Sequence, residues 1–302
     1  MNKVIAWFKC HVIIFSLLLT ALTMGVMLIF LFFSREVDFT RFDGRSAVTQ
    51  MVSQALVILI SAVIASKFIQ FSKIGFCGEG FAKGILLGWY AVLFIVLNII
   101  SGVSGMFSAE SELLNPSALT IAAFALYCFL IGFFEEFLVR GIILNMLLNR
   151  CGGTKKGMYA SVVLSGAIFG FVHLFNLLKT PDMIVATLTQ AVYATFFGVF
   201  VGAVYLRTKN LWAVIALHSV YDFCAAVFDL LYTSAAAAEE IAKDIAVTEA
   251  LAVIATTLPL LVLGFFFLRK VKDYGTVRDS VFGIVSEYKF LNGKNRKNGT
   301  VQ

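Results

Sequence analysis

The chain has 302 residues, of which 60% are hydrophobic and only 14% charged, with a formal net charge of +6. Soluble domains hold about 45–50% apolar and about 25% charged residues, so a water-soluble globular protein is excluded. The positive balance lies beside membrane segments, as described below, and needs no nucleic-acid partner to explain it.

Apolar runs long enough to cross a hydrocarbon layer of ~30 Å recur along the chain. Eight are read, at about 11–33, 49–66, 84–102, 117–147, 158–178, 183–206, 211–232 and 248–268. The runs are continuous and do not alternate, which predicts helices and excludes a barrel. The fold class is therefore all-α, a polytopic membrane bundle of about eight transmembrane helices. Lys3 and Lys9 precede the first run, as in a secretory signal. Its apolar stretch exceeds a signal core of ~7–15 residues and no small-x-small cleavage site closes it, so it is kept as a membrane helix. His11 stands at its start and is given no role. The fourth run is overlong for a perpendicular crossing, which predicts tilt or a part outside the bilayer.

Pro116 and Pro181 open predicted helices, where a missing N–H costs nothing, and Pro259 is expected to kink the eighth. Gly166/Gly170 and Gly198/Gly202 form GxxxG steps that would let the fifth and sixth helices approach closely. The cysteines Cys10, Cys77, Cys128, Cys151 and Cys224 show no paired spacing and are read as isolated thiols. The soluble pieces are an outer loop at 34–48, an outer segment at 233–247 and a basic tail at 269–302 suited to anionic lipid.

Lysines and arginines set the orientation. With both termini cytoplasmic, eighteen lie inside and five outside (Arg35, Arg41, Arg45, Lys179, Lys243), and Arg140 is within a helix. Three sections are distinguished: N-terminal helices over 1–110, a helical core over 115–232, and a last helix with the basic tail over 233–302.

Ionisable residues inside the apolar runs carry the chemistry, because each costs about 2.5–3.5 kcal/mol to insert. Glu136 and Arg140 are four residues apart with the acid first, so they share a helical face and can pair. Glu135 points about 100° away and lacks that partner. It is the freer carboxylate, able to face a water-filled cavity and act as a base. His173 follows Phe169 by one turn, and His218 precedes Asp222 by one, so Asp222 can orient the imidazole or join it on a metal. Counted at ~1.5 Å per residue from the cytoplasmic ends, Glu135 and His173 lie more than ~20 Å deep and His218 and Asp222 ~10–18 Å deep.

Glu135-Glu136-x-x-x-Arg140, Phe169-x-x-x-His173 and His218-x-x-x-Asp222 resemble the three motifs of the CAAX protease and bacteriocin-processing family, over roughly residues 115–230. The flanks Phe-Leu-Val-Arg-Gly and Phe-Val-His-Leu-Phe-Asn strengthen the likeness, and Asn176 in the second flank is a supporting candidate. The resemblance implies a bacterial multi-pass cell-membrane protein, an intramembrane endopeptidase acting on a membrane-associated or lipidated protein or peptide. By the same resemblance Glu135 would activate water, and His173 and His218 would bind the oxyanion or a metal. Asp222 would position His218, and Glu136, Arg140 and Phe169 would brace the site. HExxH is absent, yet His173, His218 and Asp222 could supply three zinc ligands. The expectation is a metal-free glutamate mechanism, with a divalent metal such as zinc as the alternative. Two other readings remain: a catalytically silent protein acting in bacteriocin immunity or as a scaffold, and a proton-coupled transporter. The transporter would show broken helices and a repeat between halves, neither of which is visible in the sequence.

Overall fold

Long apolar runs with few breakers give long helices, and the computed structural model holds eight that are long and apolar enough to span a membrane. These are Val12–Phe30, Val48–Ala65, Trp89–Met106, Ala118–Cys151, Lys155–Leu178, Ile184–Thr208, Leu211–Leu230 and Val247–Arg269. They match the eight sequence runs one for one, and the chain is an all-α polytopic membrane protein. The structure describes residues 3–33, 44–76, 79–108, 111–178, 180–234 and 244–271. Cys77, Lys179, Lys243, most of the outer loop, most of the outer segment and all of the tail beyond 271 lie outside these residues.

A short helix α1 (Lys3–Cys10) precedes α2 (Val12–Phe33) and α3 (Gly44–Ala65). Then come α4 (Phe81–Leu87), α5 (Trp89–Met106) and a short strand β1 (Ser111–Leu113). The overlong fourth run is α6 (Ala118–Glu136), a π-helical segment Phe137–Leu144, and α7 (Asn145–Cys151). After it stand α8 (Lys155–Val172) with a 3₁₀ extension His173–Leu178, α9 (Ile184–Thr208) and α10 (Leu211–Ala226). Strand β2 (Tyr232–Ser234) and α11 (Val247–Arg269) complete the described chain.

Local chemistry fixes these boundaries. The side chains of Ser117, Thr154 and Asn210 accept the N–H of Thr120, Gly157 and Ala213, capping α6, α8 and α10 and satisfying one of the free donors at each helix start. Just before α6, β1 pairs antiparallel with β2, with Glu112 opposite Thr233. Pro259 lies inside α11, which continues through it.

Helix α9 is central, packed on α8 and α11, while α10 packs on α6 and α5. The glycine steps work as the spacing predicts. A Cβ on Gly198 would stand 2.8 Å from the Gly166 Cα, so α8 and α9 meet backbone to backbone. Outward-facing Leu59, Ile100, Leu251 and Val262 are all at least 59% exposed, the surface a hydrocarbon solvent requires.

The basic end of the bundle is closed by the loop between α3 and α4. Gly75 and Gly80 have positive φ, and a Cβ at Gly75 would strike the Lys209 carbonyl. Only glycine tolerates both demands. The loop lies across the start of α10. Leu211 N–H donates to Gly75 O (2.9 Å), Asn210 Nδ2 to Glu79 O (3.0 Å) and Trp212 Nε1 to Phe76 O (3.2 Å).

Candidate active site

The site begins where α6 changes pitch. Glu135 and Glu136 are the last α-helical residues before the π segment, a helix type that is rare and frequent at functional sites. Widening the turn disturbs the carbonyl ladder, and the Asn145 amide meets the disturbed groups by donating to Arg140 O (2.9 Å) and Gly141 O (3.0 Å). The same amide nitrogen reaches Tyr205 Oη (2.8 Å), whose hydroxyl donates to Ile74 O (3.0 Å). The π segment is thus tied to α9 and to the plug of the basic end.

Glu136 and Arg140 form the ion pair their spacing predicts. Nη1 donates to Oε1 at 2.7 Å, and both side chains are 0% exposed. Arg140 also donates from Nη2 to Gly198 O (3.2 Å) and stands over the Phe169 ring, 4.8 Å from its centroid. Phe169 meets His173 and His218 edge-on, at 5.0 and 5.7 Å between centroids. One aromatic ring therefore sits between the cation and both imidazoles.

His218 is held by residues from α6 as well as by its own helix. Its Nδ1 is 2.8 Å from Glu136 Oε1, and its Nε2 is 3.4 Å from Glu135 Oε2 and 3.6 Å from Asp222 Oδ2. The one-turn spacing suggested Asp222 as the orienting acid. The structure puts Glu136 in that position, and Asp222 shares the opposite nitrogen with Glu135. A carboxylate only accepts, so Nδ1 carries hydrogen. Nε2 faces two acids, so that contact needs a proton, on the ring or on one carboxyl.

His173 lies at the foot of α8, with Nδ1 3.0 Å from Phe169 O. A carbonyl also only accepts, so Nδ1 carries hydrogen and a neutral ring presents its Nε2 lone pair. Asn176 donates from Nδ2 to Gln190 Oε1 at 2.9 Å. Gln190 was not singled out in the sequence, nor were Asn145, Tyr193 and Tyr205. Each is a polar or hydroxyl-bearing residue inside an apolar run, the signal that could have drawn attention to it.

Cavities surround this cluster. One of about 240 Å³ is lined by Glu135, His173 and Asn176 with Gln50 and Gln54 of α3. A second, of about 100 Å³, is lined by His173, His218, Asp222, Gln190 and Tyr193. Glu135 and Asp222 are each 25% exposed while Glu136 is sealed. Glu135 is therefore the glutamate open to the cavity, as its helical position predicts.

Among the described residues no three His, Cys, Asp or Glu side chains converge as a metal-ligand set. The candidate ligands His173, His218 and Asp222 do not form such a group among the described residues.

A carboxylate open to a cavity, two imidazoles and a braced second acid thus come together within the membrane bundle. Residues 117–224 match the family model described as type II CAAX prenyl endopeptidase, Rce1-like. That segment holds every candidate side chain from Glu135 to Asp222, and its similarity to this family supports a CAAX-type intramembrane protease in general. No curated protein and no solved structure matches the chain.

Proposed function

We propose that the protein is an intramembrane endopeptidase in which Glu135 is the general base and no metal takes part. The observation that carries this reading is the cavity that Glu135 and His173 line together. Glu135 takes one proton of a water molecule, and the Nε2 lone pair of His173 accepts the other hydrogen bond and aims the oxygen. The water oxygen bonds to the scissile carbonyl carbon, and the C=O electron pair moves onto oxygen. A proton on His218 Nε2 then donates to that oxyanion, with Glu136 holding the ring through Nδ1 and Asp222 stabilising the charged ring. Collapse breaks the C–N bond, and Glu135 returns its proton to the leaving amine. The products are an amine and a carboxylic acid, which releases its proton to water to become a carboxylate. The substrate class is a membrane-associated or lipidated protein or peptide, and the setting is a bacterial cell membrane.

The test compares protein termini in cells expressing wild type, Glu135→Gln or His218→Ala at matched membrane levels. New termini seen only with wild type support proteolysis, and their persistence under a metal chelator supports the metal-free form. Termini that survive Glu135→Gln refute the assigned base. If wild type yields none even with a candidate precursor co-expressed, a silent immunity or scaffold protein is the better reading.

A further inference from the structure

The two ends of the bundle differ in charge and in polarity. One end carries Lys67 and Lys73, Lys155 and Lys156, and Arg207 and Lys209 at or between helix ends. The other carries Glu112, Asp182, Asp229, Asp244 and Glu249. By the excess of lysine and arginine the first end is cytoplasmic, and the second faces the outside.

The site opens toward the second end. A polar cavity of about 590 Å³ lies there, lined by Asn176, Thr180, Met183, Gln190, Tyr193 and Ile245. Asn176 is also in the wall of the Glu135 cavity, and Gln190 and Tyr193 are in the wall of the His218 cavity. Carboxamides and hydroxyls thus lead from the acidic surface to both halves of the cluster. Toward the basic end the interior is filled. Ile74, Leu144, Met158 and Leu211 are each 0% exposed, beneath the loop fastened at Gly75, Phe76 and Glu79.

The lining also has a chemical bias. At membrane depth every main-chain N–H and C=O needs a partner. A passage walled by Asn, Gln and Thr supplies such partners to an extended polypeptide, whereas a hydrocarbon tail has no use for them. The outer rim is built to last, because the Asp244 carboxylate accepts from the N–H groups of Val185 (2.7 Å) and Ala186 (2.8 Å) and holds the approach to α11 against the start of α9.

We infer that the substrate is an extended peptide segment presented at the non-cytoplasmic face of the membrane, which reaches Glu135 through this polar vestibule. The inference rests on the endopeptidase reading for its substrate but not for its geometry. A tail lipidated and presented in the cytoplasm would meet the closed end.

The native cysteines make the test direct. Cys10 and Cys151 are exposed, and Cys128 and Cys224 are buried. Among the described residues both exposed thiols belong to the basic end. Intact cells expressing wild type, Thr180→Cys or Met183→Cys are treated with a charged, membrane-impermeant maleimide, and parallel samples are permeabilised first. Wild type is expected to react only after permeabilisation, and both variants already in intact cells. Labelling of Thr180→Cys is further expected to abolish the wild-type-dependent new termini. The reverse labelling pattern overturns the orientation. Labelling in intact cells with the termini unchanged overturns the vestibule as the route. Labelling does not require catalysis and is expected to be the same in Glu135→Gln. A protein that labels as expected but cleaves nothing therefore refutes the enzymatic reading and leaves the outward opening standing.

Discussion

The Glu136–Arg140 pair offers the sharpest energetic test, because both side chains are fully buried and share one contact of 2.7 Å. Replacing Arg140 by Met leaves a carboxylate in the interior with His218 as its remaining hydrogen-bond partner, and it removes the donor to Gly198 O. Breaking a buried pair from one side costs about 3–5 kcal/mol, a large share of the ~5–15 kcal/mol that holds a typical domain folded. Glu136→Gln keeps an acceptor for both Arg140 and His218, so its loss is expected at the low end, about 3 kcal/mol. Removing both charges together removes the uncompensated one as well, and buried pairs replaced by neutral groups are often near neutral. The double variant Glu136→Gln/Arg140→Met should therefore lie within about 2 kcal/mol of wild type, with a coupling energy of at least about 4 kcal/mol in the cycle. Reversible unfolding of purified protein in detergent micelles measures all four corners. Single variants that each lose less than about 1 kcal/mol, or a double variant that loses the sum, would refute the buried-pair argument. The double variant is expected to stay folded yet cleave more slowly, because Glu136 also holds His218 Nδ1.

Gly198→Ala forces a methyl toward the Gly166 Cα at 2.8 Å, a backbone atom that cannot step aside. A loss of about 1–3 kcal/mol is expected in the same unfolding assay. Gly25→Ala, where a Cβ meets nothing within 4 Å, should be neutral or gain up to about 1 kcal/mol. Asp244 is pulled below the usual aspartate range: burial opposes this, but the N–H groups of Val185, Ala186, Ile245 and Ile184 outweigh it. A lowered pKa means that its contribution is fully present above the unfolded value of about 3.9 and is lost as pH falls through the folded value. Wild type should thus exceed Asp244→Asn in unfolding midpoint at neutral pH, and the gap should close only below about pH 4. A gap that is absent at neutral pH, or that widens on acidification, would contradict the contact.

The helices were legible because solvation alone dictates them: a long apolar run has few alternatives to a membrane helix. The ionisable residues were legible for the converse reason, since a charge in such a run demands a use. Helical spacing gave Glu136 with Arg140 correctly because that pair lies within one stretch of chain. It pointed to Asp222 as a support of His218, a contact the structure has at 3.6 Å, but it could not give the shorter one to Glu136, which crosses from α6 to α10 and depends on how those helices pack. The apparent difference in depth has a similar origin. Asn210 and Leu211 are 0% exposed, sunk behind the loop that covers the start of α10. Counting from the end of the run therefore makes His218 too shallow, although its ring stands 3.4 Å from Glu135.

The π segment is the feature that no local pattern announces. Phe137–Leu144 reads Phe-Leu-Val-Arg-Gly-Ile-Ile-Leu, an ordinary apolar helix apart from its arginine. What holds the wider turn lies elsewhere: Asn145 on the Arg140 and Gly141 carbonyls, Tyr205 behind Asn145, and Ile74 behind Tyr205. Asn145, Tyr205 and Ile74 come from three separate parts of the chain, so only the folded bundle can specify the pitch. The pitch in turn decides where Arg140 stands, over Phe169 and against Gly198 O, and with it where Glu136 can hold His218. A polar chain starting at the loop between α3 and α4 therefore sets the geometry of the site. The least conspicuous of its members, Asn145, supports the site without touching the cavity that Glu135 and His173 line.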